Sequence, residues 1–183
     1  AFSGSDITLF TKFSEIMGYA ELLPITKTYR NSQEVIDIAG NFIQKNTSQI
    51  HKTLKSPKTI TDPVIIYTYD SKPKERGSAA ASGAAYNLAK AVETAIEQIL
   101  IYDRQSGEKN SSILLLGRFG FDGKNLERSE LFRYKEQGSK IKCLKYPKLN
   151  ITFMTAHASK GLGYDNVIVI NGKNETYGFP SKI

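Results

Sequence analysis

The segment TAHASKGLGYD, residues 155–165, gathers side chains that could meet a charged ligand: Thr155, His157 and Lys160, followed by Gly161 and Gly163. It sits between two strand-like apolar runs, ITFM and NVIVI. Short side chains leave backbone N–H groups open and a lysine adds a cation, which suits a phosphate backbone or a nucleotide. A strand-to-helix turn with a solvated lysine would read the same way. A second candidate is Arg30 in KTYRNS, residues 27–32, just before a helix N-cap. An arginine there can reach into a cleft and donate paired hydrogen bonds to a phosphate. On local sequence alone, a surface pair with Glu34 fits better.

Other chemistries lack their residues. GRFGFDGKN, residues 117–125, imitates a phosphate-binding glycine loop, but Arg118 replaces its first glycine and Asn125 its final hydroxyl residue. One cysteine, Cys143, and two distant histidines, His51 and His157, form no zinc pattern, and no metal site is expected. No G-x-S-x-G nucleophile turn occurs. An independent enzyme is therefore hard to find in this sequence.

The elements that must position these residues follow from periodicity. Apolar residues at Leu9, Phe10, Phe13, Ile16 and Met17, behind Ser5 or Asp6 as cap, predict a helix that Pro24 stops. ITKTY at 25–29 predicts a strand. NSQEVIDIAGNFIQKN predicts a helix capped by Asn31 or Ser32. VIIYTY at 64–69 predicts a strand buried on both faces. A long helix is predicted over 78–101, a buried strand over ILLLGRF at 113–119, a turn at FDGKN and a helix over LERSELFRYKEQ. IKCLKY, ITFMT and NVIVIN predict three more strands, at 141–146, 151–155 and 166–171. Tyr67 and Tyr69 read as sheet packing, and Asp165 as the residue that opens the last strand. Apolar strands alternating with helices imply an α/β fold with a mostly parallel sheet and helices on both faces. Ligands of such sheets sit at the strands' carboxyl ends, where Thr155 to Lys160 falls.

Composition sets the outer bounds. The 183 residues carry a net charge of +7 and a pI near 9.4, which fits a polyanionic partner or an ordinary basic surface. No run approaches the roughly 18 apolar residues of a membrane span, and the N-terminus lacks a signal peptide's basic and apolar regions. A first residue other than Met suggests an excised piece. A single cysteine fits a reducing compartment, so a cytoplasmic location is expected.

Taken in order, these segments resemble a known family. TYRNS before an amphipathic helix is similar to motif IV of the UvrD/Rep-like superfamily 1 DNA helicases. ITFMTAHASKGL is similar to their motif V, and AFSGSD to the tail of motif III. FMTAHASKGLGYDNVIVI followed by YGFP resembles the helicase IV branch most. The resemblance spans nearly the whole chain. It implies a single second, C-terminal RecA-like lobe over 1–183, of P-loop NTPase type but without its own Walker A motif. The first lobe, motif VI and the Mg2+ ligands would lie outside it.

By the same resemblance, Arg30 would be the catalytic arginine, clamping the γ-phosphate of ATP held on the other lobe. Tyr29, Lys160, Gly161 and Gly163 would border the nucleotide. Thr155 and His157 would contact single-stranded DNA, and Phe2 would stack on a base. The cofactors implied are ATP and Mg2+ in the full-length protein, with neither held tightly by this piece and no hydrolysis by it alone. Its partners would be single-stranded DNA and the first lobe, with no membrane. Three departures stand out. Gly163 replaces the family's ribose-binding Glu, and Ser3 a frequent Arg. Only residues 120–150 separate ILLLGRF from ITFMT, too few for the accessory domain that many relatives insert. Two other readings remain open: a helicase-like ATPase that remodels a protein complex such as RNA polymerase, and a non-enzymatic nucleic-acid-binding module.

Overall fold

The computed structural model describes residues 8–21, 23–47, 50–71, 78–107, 111–135, 137 and 139–179. The chain divides into two compact units, residues 1–65 and 66–183.

In the first unit the predicted opening helix is interrupted. Helix α1, Thr8–Thr11, and helix α2, Phe13–Met17, are separated at Lys12, whose φ of −108° and ψ of 19° leave the helical range. The proposed caps Ser5 and Asp6 lie outside the described residues. Leu9, Phe13, Ile16 and Met17 stay exposed, so the apolar face that predicted one helix is not buried against this unit. Helix α3, Gln33–Ile43, forms as predicted, with Ser32 as its extended N-cap.

The start of α3 is sewn to residues 54–60. Gln33 donates from Nε2 to the Leu54 carbonyl at 3.2 Å and accepts at Oε1 from the Ser56 amide at 2.8 Å. The Ser56 hydroxyl donates to the Asn31 carbonyl at 2.7 Å. The predicted strand 25–29 reduces to one parallel bridge, Lys27 with Lys55. Pro24 and Pro57 flank this pairing and lack the amide hydrogens that would extend it.

The second unit is built on a five-stranded sheet in the order β2-β3-β4-β1-β5. The strands are β1 Ile113–Gly117, β2 Phe132–Lys135, β3 Lys140–Cys143, β4 Ile151–Thr155 and β5 Asn166–Val169. The sheet is mixed and mostly parallel. Strand β1 pairs in parallel with β4 from Ile113↔Ile151 to Gly117↔Thr155, and with β5 from Ile113↔Asn166 to Leu116↔Val169. Strands β2 and β3 add an antiparallel margin beside β4. Helix α4, Ser78–Ser106, places Leu88, Ala89, Val92 and Ile96 in the core, at the spacing of one helix face. They meet Ile113 and Leu115 of β1, Ile151 and Phe153 of β4, and Ile141 and Cys143 of β3. The i, i+2 spacing in each strand marks one buried sheet face. Burial pushes the Cys143 thiol above its ordinary value, as befits a structural rather than a reactive cysteine.

Two predictions fail here. VIIYTY forms no strand, and Val64, Ile65 and Ile66 are exposed. Strand β1 already has both neighbours, supplied by β4 and β5 from later in the chain. Tyr69 nevertheless packs on the core as expected. LERSELFRYKEQ is not one helix: helix α5, Phe121–Glu127, takes in the predicted FDGKN turn, and FRYK becomes β2. Glu130, at φ 62°, breaks the helical path between them. Phe132 is then fully buried opposite Cys143. No helix among the described residues is long and apolar enough to cross a membrane.

Truncating the sheet core should show where stability resides. Leu115→Ala should lower the unfolding free energy by about 2–5 kcal/mol. Ile66→Ala, at a residue 83% exposed, should change it by less than about 0.5 kcal/mol. Urea denaturation followed by circular dichroism reads both, and a large loss at Ile66 would argue for a buried strand there.

Candidate nucleotide and nucleic-acid interface

Arg30 sits on a backbone fixed from both sides. Upstream, the Thr28 amide donates to the Lys55 carbonyl at 2.9 Å and the Lys55 amide to the Thr26 carbonyl at 2.8 Å. Downstream, the Asn31 carbonyl is held by Ser56, and the Gln33 amide donates to the Lys58 carbonyl at 2.8 Å. The side chain is exposed, and among the described residues nothing pairs with its guanidinium. Glu34 is not its partner. The Glu34 carboxylate instead accepts from the Ile60 amide at 2.9 Å, and its own backbone N–H together with that of Ile60 lowers its pKa. Among the described residues Arg30 makes no ion pair with Glu34. Tyr29 next to it is exposed, with Lys27 Nζ 5.2 Å from its ring centroid.

In the second unit, the parallel register of β1 and β4 ends at Gly117↔Thr155, so the loops after both strands emerge side by side. The Ala156 amide donates back to the Gly117 carbonyl at 3.0 Å and ties them. Thr155 Oγ1 accepts from the Ala158 amide at 3.3 Å, and the Ser159 amide donates to the Thr155 carbonyl at 3.0 Å. Thr155 thus shapes the turn while its hydroxyl proton stays able to donate outward. His157 and Lys160 are exposed on this turn. Gly161 adopts φ +85°, a conformation that favours glycine. Gly163 has open space around it, so a larger side chain could stand where the family's Glu would be. Phe2 lies outside the described residues.

The structure adds a residue that sequence reasoning had set aside. Arg118, the first residue after β1, lies 3.2 Å through its Nη1 from His157 Nδ1. Arginine can only donate, so Nδ1 is the acceptor in this contact. Two loops that are 39 positions apart in sequence therefore present one cationic and one imidazole group together.

Arg118 is held in turn by Asp122, which is fully buried. Asp122 Oδ2 accepts from the amides of Arg118 at 3.0 Å and Phe119 at 2.9 Å. Its Oδ1 accepts from Asn171 Nδ2 at 2.6 Å, and Asn171 Oδ1 accepts from the Tyr69 hydroxyl at 3.1 Å. Burial raises the Tyr69 pKa, with Asp122 and Glu175 adding to the rise, so the phenol keeps the proton it donates. Gly117 makes room for this arrangement: a Cβ there would stand 2.9 Å from both Asp122 Oδ2 and the Phe153 ring. Read as a failed glycine loop, GRFGFDG hid this role. Its available signal was an arginine at the carboxyl end of a strand, followed four residues later by a carboxyl side chain. Asp165 opens β5 as expected: its Oδ2 accepts from the Ser112 amide at 2.8 Å and hydroxyl at 2.7 Å. Among the described residues no cluster of His, Cys, Asp or Glu could hold a metal ion.

Asp122→Ala should leave the Arg118 and Phe119 amides and the Asn171 side chain without their partner. The expected loss is about 2 kcal/mol or more of unfolding free energy, read by urea denaturation. Unchanged stability would mean that water replaces the carboxyl group fully.

The chain is 29% identical to DNA helicase IV of Escherichia coli (strain K12) over 183 residues, covering 98% of this chain and 21% of that protein. It therefore spans about a fifth of the length of the curated relative it matches. No protein-family model matches the chain, and no solved structure matches it. The likeness runs from end to end of the chain, and the mixed, mostly parallel sheet with helices is consistent with a RecA-like α/β fold.

Proposed function

We propose that this chain is the second motor lobe of an ATP-dependent DNA helicase or translocase of the UvrD/Rep-like type, in the helicase IV branch. The observation that carries this reading is the meeting of Arg118 and His157 at the carboxyl ends of β1 and β4. Open α/β sheets take their ligands at that end. A guanidinium, an imidazole and the Thr155 hydroxyl converge there on what a phosphate backbone requires. Thr155 and His157 are the proposed contacts to single-stranded DNA, with Phe2 as a base contact.

Arg30 is the proposed catalytic arginine. Its anchored backbone and unpaired guanidinium fit a phosphate supplied from outside the chain. Bound ATP with Mg2+ supplies the phosphoryl bond whose hydrolysis drives the motor. The Mg2+ ligands belong to the first lobe of the same full-length protein. Arg30 would bring positive charge to the γ-phosphate when the lobes close, and withdraw it when they reopen. Tyr29, Lys160, Gly161 and Gly163 would border the nucleotide. Gly163 offers no carboxylate for the ribose, so this chain would hold the sugar less firmly than relatives with Glu there. The whole is proposed to work in the cytoplasm.

In the full-length protein, Arg30→Ala should reduce DNA-stimulated ATP hydrolysis by roughly 10³-fold or more, the range for an arginine that meets transferring phosphate. Affinity for single-stranded DNA should be unchanged. Arg30→Lys should rescue little, because one ammonium cannot reproduce a forked guanidinium. Intact DNA-stimulated hydrolysis in Arg30→Ala would remove Arg30 from this role.

A further inference from the structure

Beside Arg118 stands an aromatic cluster to which the proposed function gives no task. Phe119 and Phe121 stack with ring centroids 5.1 Å apart and planes within 9° of parallel. Tyr177, from the segment after β5, stands steeply inclined to both, at 70° and 75°, with ring centroids 6.0 Å away. The cluster is open: Phe121 is 43% exposed and Tyr177 65%. It is also fixed. Asp122 holds the Phe119 amide, and the Arg118 guanidinium carbon lies 5.6 Å from the Phe119 ring centroid.

Hydrophobic burial does not explain an open cluster of this kind, since the rings remain in contact with water. What a rigid, nearly parallel pair of rings offers is a planar surface on which a third planar ring can stack. The charge beside it selects the owner of that ring. Arg118 contacts the aromatic cluster on one side and His157 on the other, and it adds a phosphate-binding group within the same loop. Planar apolar rings linked by phosphates describe a single-stranded nucleic acid.

We infer that Phe119, Phe121 and Tyr177 form a base-stacking platform for single-stranded DNA, adjoining the backbone contacts of Arg118, Thr155 and His157. This rests on the proposed function's placing of a DNA track at this end of the sheet. It adds contacts to bases on residues 66–183 to the one that reading assigns to Phe2. Stacking accepts any base, so the platform would grip a strand without choosing its sequence.

The test compares two fluorescein-labelled probes by anisotropy with the 183-residue chain: an oligo(dT) strand of roughly 12 nucleotides and an abasic strand of equal length. The unaltered chain should bind oligo(dT) about tenfold tighter than the abasic strand, or about 1.4 kcal/mol. Phe121→Leu with Tyr177→Leu keeps apolar bulk but removes the planar rings at two exposed positions. That variant should bind oligo(dT) no better than the abasic strand, with an unchanged salt dependence because no charge is altered. Equal binding of both probes by the unaltered chain, or a preference that survives the double substitution, overturns the platform and leaves the phosphate track standing. Binding of neither probe overturns both. The comparison of probes on the unaltered chain needs no variant, so it remains decisive if the double substitution disturbs folding.

Discussion

One buried carboxyl group organises the functional end of the sheet. Asp122 accepts two backbone amides immediately after β1 and one side-chain amide from the segment after β5. A polar group without exposure is tolerated only when its hydrogen bonds are made, and here each acceptor oxygen is used. The consequence is geometric. The chain leaves β1 along a single path, Arg118 comes to stand beside His157, and Phe119 and Phe121 are brought ring to ring. Gly117 and Gly123 belong to the same arrangement, because a Cβ at either would press on Phe153. Close packing around that phenylalanine leaves the loop little freedom to choose another course.

The two units hold their candidate residues by different means. In residues 1–65, side chains of Gln33, Glu34 and Ser56 tie the start of α3 to the backbone of residues 54–60, and Ser56 holds the Asn31 carbonyl next to Arg30. In residues 66–183, the parallel register of β1 with β4 does the positioning, and loops at the strand ends carry the candidate residues. The first unit thus holds the Arg30 backbone through one parallel bridge and a side-chain bond, and the second positions its loops through strand pairing.

Much of this was legible in the sequence where local physics decides. Helix α3 declares itself through its Ser32 cap and apolar spacing, α4 through its length, and β1, β3, β4 and β5 through short apolar runs bounded by turns. Arg30 and the Thr155–Lys160 loop were legible for the same reason: each is a local pattern of residue types beside a strand or a cap. What was illegible depends on partners distant in sequence. VIIYTY has a strand's composition but no place in the sheet. FRYK was masked by the helical spacing of the residues before it, although its own alternation, buried Phe132 then exposed Arg133, is that of a strand. Arg118 and Asp122 gain their roles only from the β1–β4 register and from Asn171, neither of which a single segment can announce.

The most direct test of a DNA track at the carboxyl ends of β1 and β4 is a two-dimensional 1H–15N titration of the chain with single-stranded oligo(dT). The account predicts that the perturbed amides concentrate in residues 117–121 and 155–161, on the two loops joined by Arg118 and His157. Shifts scattered over the dispersed lysines, or concentrated around residues 52–58, would contradict it and reduce the interaction to general attraction by a basic surface.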